Sequence, residues 1–259
     1  MVRSWKRTCL CALRHGGGRV GLFETPLAQV GSENKQPLLI LQKTHSYFHF
    51  VTEIVPLALS QLEEHSPLVQ ICKPWQIEVL RAFNLSPKNY TVREDSQKPQ
   101  LVIKKDRWGV YPVEGLVQAA NSWLLKKQAV RRKGSGPVYL VNRTHHSSTT
   151  GRVLSEDNAE LLCATFGATQ IEPASLHPRQ QFQAFTQASA LIGPHGSAFA
   201  NLIAAQNGTV VGEIDGPTQV HWHVERLCRL LDLDYRLLLA RKQTGNDFVF
   251  EPVGDELDR

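Results

Sequence analysis

The run from Ala190 to Ile214 constrains this chain more than any other segment. An apolar stretch, Ala190-Leu191-Ile192, leads into Gly193-Pro194-His195-Gly196-Ser197. A helix of small residues, Ala198 to Ala205, an Asn207-Gly208 turn and a second apolar stretch, Thr209 to Ile214, complete it. Strand, loop, helix, turn and strand in so short a span make a compact βαβ unit. Its two strands must be parallel and its crossover right-handed. Ligands of open parallel sheets bind at the carboxyl ends of the strands, where this loop falls. Gly193 and Gly196 let backbone approach a ligand closely. Ser197 and the next amides form a helix N-terminus that favours an anion, and His195 adds a hydrogen bond or, when protonated, a charge. A short glycine pattern alone equally fits a tight turn with a capping histidine.

The flanking sequence has the same alternation. Leu38–Leu41, Leu68–Cys72 and Leu101–Ile103 read as strands, with helices over 50–62, 74–83 and 114–132. Pro56 implies a kink or a helix start in the first of these. Gly134-Ser135-Gly136-Pro137 is a linker signal. It divides an N-terminal α/β domain, 1–133, from a C-terminal Rossmann-like domain, 134–259; residues 1–36 carry no periodic signal. In the second domain, strands are expected over 138–141, 168–171, 190–193, 209–214 and 235–240. Helices are expected over 156–166, 178–188, 198–205 and 220–231. Ser155 offers an N-cap and Gly167 a stop.

The net charge of +5 suits an anionic ligand or a membrane surface. No Lys/Arg stripe with interleaved aromatics points to nucleic acid. Lys126-Lys127 and Arg131-Arg132-Lys133 read as a solvated helix end. The five cysteines lack metal or disulfide spacing, and Cys163 and Cys228 read as small core residues. A reducing compartment fits this usage. The basic N-terminus has too short an apolar run for a signal peptide, and no stretch is long enough to span a bilayer. The expectation is a cytoplasmic protein with peripheral membrane association. A secretory lumen is the alternative if an N-terminal anchor is missing.

From Leu176 through His177-Pro178-Arg179-Gln180-Gln181-Phe182 to Ile192-Gly193-Pro194-His195-Gly196-Ser197-Ala198-Phe199-Ala200-Asn201-Leu202, the chain resembles glycosyltransferase family 61. The likeness extends through Asn207-Gly208-Thr209 to Glu213-Ile214. Departures are Gln180 for a usual acid, Ser197 for a usual alanine, and Phe199 for a glycine, which would narrow a pocket. Upstream, Tyr139-Leu140-Val141-Asn142-Arg143 and Gly151-Arg152-Val153-Leu154 look like the family's strand and two arginines. Guanidinium forks suit the diphosphate of a leaving nucleotide. The resemblance implies a donor site of Arg143, Arg152, Gly193, His195, Gly196, Ser197, Asn201 and Glu213. Glu213 could bind a ribose hydroxyl or serve as a capping carboxylate.

Ser46-Tyr47-Phe48-His49-Phe50-Val51-Thr52-Glu53-Ile54-Val55-Pro56 is similar to a second family segment, with Ser46 for a common Asn and Phe50 for a common Trp. On a helix His49 and Glu53 are neighbours, and a carboxylate orients an imidazole. Inverting glycosyl transfer needs a base for the acceptor hydroxyl, so His49 and Glu53 are the catalytic candidates. His45, His49 and Glu53 could alternatively serve a metal-dependent hydrolase. The resemblance implies a compact GT-B fold, two Rossmann-like domains facing a cleft. Its function is an inverting, metal-independent transfer from a UDP-linked sugar to a glycan, lipid-linked or protein-linked hydroxyl, with no cofactor. A noncatalytic glycan- or nucleotide-binding relative is the other alternative.

Overall fold

A computed structural model describes residues 36–41, 44–60, 65–69, 71, 73–85, 101–104, 111–127, 135–143, 153–215, 222–239, 242–244 and 247–249. Two sheets of parallel strands organise them. The N-terminal sheet has β1 (Gln36–Leu41) between β2 (His65–Val69) and β3 (Leu101–Lys104). Leu38 pairs with Pro67 on one side and Leu101 on the other. β2 lies three residues earlier than the apolar run 68–72 suggests, and carries Pro67. A proline cannot donate to a ladder, so its place is an edge strand such as this one.

The C-terminal sheet contains β4 (Val138–Val141), β5 (Thr169–Ile171), β6 (Ala190–Pro194), β7 (Val210–Asp215) and β8 (Asp234–Leu239). All pair in parallel, in the order β5-β4-β6-β7-β8. The chain therefore builds outward from β4 in one direction and then from β6 in the other. The reversal leaves a crevice at the carboxyl ends of β4 and β6, the position where doubly wound sheets bind ligands. This is the α/β, Rossmann-like layering expected. The sheet is not the end of the chain's strands, however. Lys242–Thr244 and Asp247–Val249 form a small antiparallel hairpin, β9 and β10. Three-residue strands are too short to register as periodicity.

Helix α1 begins at Tyr47, earlier than its apolar periodicity suggests. It is α-helical over Tyr47–His49, π-helical over Phe50–Ile54 and α-helical again over Val55–Ser60. In the wide turn the Val55 amide reaches back to the Phe50 carbonyl. Pro56 explains the turn's position, because it has no N–H to donate and would crowd the carbonyl of Thr52 in a regular helix. Helix α2 spans Pro74–Ala82 and α3 Val113–Lys127, with residues 128–132 of the expected helix outside the described residues. Gly115 of α3 lies so close to α1 that a Cβ would sit 1.9 Å from the Pro56 carbonyl oxygen.

Helix α4 (Glu156–Phe166) is capped by Ser155 and ends at Gly167 with φ +59°, as its sequence foretells. Helices α5 (Pro178–Gln187) and α6 (Trp222–Leu230) complete the C-terminal layer. The expected α-helix after the glycine loop is instead a 3₁₀ helix, Ser197–Ala204, buried from Phe199 to Ala204. Residues so small and apolar on every side fit the interior between helices, not a solvent-facing crossover.

One apolar cluster runs through both halves. The rings of Phe83 and Trp123 pack against Phe182, each at 5.3 Å. The Trp123 indole donates to the Thr186 hydroxyl at 2.7 Å. Burying an indole N–H is tolerable because it has this partner. Cys228 is fully buried in the cluster, and Cys163 packs at a smaller one beside β4. Arg152, His145, His146, His221, the 131–133 cluster and the three other cysteines lie outside the described residues.

Candidate active site

His49 ends the first turn of α1, where the Ser46 side chain caps the helix by accepting from the His49 amide. Its Nδ1 meets Glu53 Oε1 at 2.6 Å. Glu53 is fully buried, whereas the His49 side chain keeps 24% of its surface exposed. A carboxylate only accepts, so it holds the hydrogen on Nδ1 and leaves Nε2 with a lone pair. The π turn begins at the residue after His49, and such turns often mark functional positions. Phe48 links the pair to α6, with its ring 5.8 Å from the His49 ring and 6.2 Å from that of His223. Tyr111 closes this corner, donating from its hydroxyl to the His223 carbonyl at 2.9 Å. Burial holds the Tyr111 phenol well above its ordinary range, so it remains a donor.

The second cluster gathers at the β4–β6 crevice. His195 follows β6, and its amide donates to the Ile214 carbonyl at 2.8 Å. Its Nδ1 bonds Glu213 Oε1. Glu213 sits on β7 opposite Gly193, fully buried. Its other oxygen accepts from the Tyr235 hydroxyl at 2.7 Å. Both oxygens of Glu213 are thus engaged inside the protein. That arrangement lets it orient His195. Arg143, just beyond β4, donates from Nη2 to Ser197 Oγ at 2.8 Å. Arg143 and Ser197 are only partly buried, so the guanidinium borders the crevice.

The two loop glycines serve different purposes from the one expected. A Cβ on Gly193 would stand 2.2 Å from the Val141 carbonyl oxygen, so this glycine lets β4 and β6 approach. A Cβ on Gly196 would stand 3.0 Å from Arg143 Nη2. Gly196 therefore leaves room for the guanidinium. Next to the expected Arg152, which is outside the described residues, Val153 is buried, and the Asn142 side chain clamps Leu154 from both its oxygen and its nitrogen.

A chain of hydrogen bonds ties α1 to the 3₁₀ helix and to α5. The Tyr47 hydroxyl donates to Asn201 Oδ1 at 2.6 Å, and Asn201 Nδ2 donates to Gln181 Oε1 at 3.0 Å. Gln181 in turn donates to the Leu176 carbonyl at 2.9 Å. Asn201, expected at the donor site, is fully buried, and its bonds tie α1 to the 3₁₀ helix. Sequence reading missed Tyr47, Gln181 and Tyr235 as members of this assembly. Tyr47 and Gln181 stand in the two family-like segments, but Tyr235 carried no signal beyond an aromatic residue opening a strand.

The family model for glycosyltransferase 61 matches residues 47–212, more than half of the chain. It takes in the His49–Glu53 pair, Arg143 and the glycine loop, and ends just before Glu213. The chain belongs to glycosyltransferase family 61. No curated protein matches it in sequence. Its departures from the family pattern now have structural explanations. Gln180 accepts from the His177 amide at 3.1 Å, the helix-capping bond that an acid there would make. Ser197 supplies the hydroxyl for Arg143. Phe199 is fully buried in the core and does not narrow the crevice. Phe50 packs edge-on against Trp75 at 5.3 Å, so an indole is still present beside that position.

The hydrolase alternative finds no such footing. Among the described residues no three His, Cys, Asp or Glu side chains are grouped to hold a metal ion. His45 precedes the helix and is exposed, so the helical spacing from His45 to His49 is broken. No helix among the described residues is long and apolar enough to cross a membrane.

Proposed function

We propose that this family 61 glycosyltransferase is an inverting enzyme that uses a UDP-linked sugar and a hydroxyl acceptor on a glycan, lipid or protein. The observation that carries the reading is the convergence of Arg143, Ser197 and His195 at the β4–β6 crevice. A forked cation, a hydroxyl and an oriented imidazole suit a diphosphate. Arg152 is proposed to join them from the segment after Arg143.

In the reaction, Nε2 of His49 takes the proton of the acceptor hydroxyl. The acceptor oxygen forms its bond to the anomeric carbon from the face opposite the diphosphate. The bond from that carbon to the diphosphate oxygen breaks, and UDP leaves with the electron pair. Glu53 holds the imidazole tautomer and balances the charge that His49 gains. Arg143 stabilises the charge that UDP gains, and His195 joins it in the imidazolium form, whose Nε2–H donates to the diphosphate while Glu213 balances the added charge. No metal or cofactor is needed in this scheme. The 1–133 half would present the acceptor and the 134–259 half the donor, in a compact GT-B arrangement, in the cytoplasm or at a membrane surface.

Calorimetry with UDP and a panel of UDP-sugars tests the donor site. Binding that weakens in both Arg143→Ala and His195→Ala is expected. Wild-type binding indifferent to both substitutions would remove the donor assignment. Transfer or donor hydrolysis that survives His49→Ala and Glu53→Ala together would remove the base assignment.

A further inference from the structure

The residues behind His195 form a relay that its motif does not contain. Three elements contribute: His195 from the loop after β6, Glu213 from β7 and Tyr235 from β8. The parallel register puts Glu213 beside Gly193 on one side and Leu237 on the other. Tyr235, two residues before Leu237, reaches Glu213 Oε2 at 2.7 Å while His195 Nδ1 holds Oε1. Glu213 is fully buried, so a lost partner would not be replaced readily by bulk water. We infer that Tyr235 is a positioning residue for His195, acting through Glu213 to keep Nδ1 protonated and to present Nε2 to the crevice.

Two features support this. The backbone already fixes where the ring starts, because the His195 amide is bonded to the Ile214 carbonyl. What remains free is rotation of the ring, and the Glu213 bond removes it. Second, burial holds the Tyr235 phenol far above its ordinary range, with the Glu213 hydrogen bond and charge adding to the effect. The phenol is therefore a permanent donor, and Glu213 keeps its second partner while His195 changes protonation state. A carboxylate held at both oxygens also cannot swing towards solvent. The relay thus gives an imidazole with one orientation and one outward nitrogen, the same result that a buried carboxylate gives in other oriented histidines.

The test reads the imidazole directly. Ring ¹⁵N spectra of the full chain, with His195→Gln used to identify the His195 signals, report its tautomer. In wild type the Nδ1–H form is expected to dominate. In Tyr235→Phe, the expected result is a mixture of the two tautomers in a protein that still folds, with a lowered thermal midpoint because Glu213 Oε2 loses its buried partner. A merely structural tyrosine would leave the tautomer unchanged, and that result overturns the inference. Should Tyr235→Phe fail to fold, 3,5-difluorotyrosine at 235 keeps the shape and strengthens the donor. Its expected effect is a shift of the His195 ring signals away from wild type, and unchanged signals again overturn the inference.

The bearing of this relay on donor binding rests on the function proposed above. In that case UDP affinity, by calorimetry, falls roughly threefold to tenfold in Tyr235→Phe, at most the factor of one hydrogen bond to a charged group. Wild type that fails to bind UDP overturns the donor assignment and leaves the tautomer result standing. UDP binding with an unperturbed tautomer does the reverse.

Discussion

Two histidines in this protein are held in the same way by different means. His49 and Glu53 are four residues apart on one helix. His195 and Glu213 are eighteen apart and meet because β6 and β7 are neighbouring strands. In each pair Nδ1 faces a fully buried carboxylate and the rest of the ring looks outward. The local pair is set by helical geometry and would survive small movements of the sheet. The distant pair depends on register, since a one-residue slip would turn Glu213 to the other face. One pair belongs to the half proposed to meet the acceptor, the other to the half proposed to meet the donor. The similarity of the pairs therefore predicts different failures when each is cut.

The largest expected effect separates them. His49→Ala should lower kcat of sugar transfer about 100- to 10,000-fold, the usual contribution of a positioned base, with UDP affinity little changed. His195→Ala should weaken UDP binding first. If both substitutions reduce kcat equally and neither touches UDP affinity, the division of labour is wrong. A smaller effect concerns the register that makes the distant pair. Gly193→Ala puts a Cβ against the Val141 carbonyl, a backbone atom that cannot step aside. A loss of about 1–3 kcal/mol in urea unfolding is expected, as for other overpacked sites. Gly115→Ala, against the Pro56 carbonyl at the local pair's helix, offers the matching test on the other side. A change within experimental error at both positions would mean the helices and strands yield more easily than their contacts imply.

This contrast also explains what could be read in advance. Periodicity exposed most strands and helices, and the Ser155 and Gly167 signals marked the α4 boundaries closely. His49–Glu53 was legible because helical spacing is written in the chain. Glu213 was noticed, but its bonds to His195 and Tyr235 were not, since they come from strand register, which one sequence does not state. Tyr235 was invisible for the same reason. Asn201 and Gly193 were assigned to ligand because they stood in a ligand-binding motif. Their burial shows that part of a motif can exist to hold the loop, and only the rest to meet a substrate. The 3₁₀ helix was missed because small apolar residues leave α and 3₁₀ geometry nearly equal in cost, and packing decides.

Arg143 belongs to the distant cluster but reaches it by a flexible side chain, so its expected effect is more modest. Arg143→Lys keeps the charge and loses the fork. UDP affinity should fall about tenfold, the worth of one charge-assisted hydrogen bond. An unchanged affinity would mean that only the charge matters at the crevice.

The smallest effect is the most discriminating for this chain. Ser197→Ala restores the residue that relatives usually carry and removes the hydroxyl that Arg143 bonds at 2.8 Å. If the serine only parks the guanidinium, freeing it costs nothing once ligand is bound, and UDP affinity should equal that of wild type within experimental error. If the serine aims the guanidinium, the loss should approach the ~0.5–1.5 kcal/mol of a net hydrogen bond. The proximity of Gly196 favours aiming. With a Cβ position 3.0 Å from Nη2, the guanidinium has little room to take a second pose against the loop. Calorimetry of Ser197→Ala beside Gly196→Ala therefore separates the two. A loss in both supports a guanidinium held in one place, whereas a loss in Gly196→Ala alone assigns the aiming to the loop and leaves Ser197 a passive neighbour.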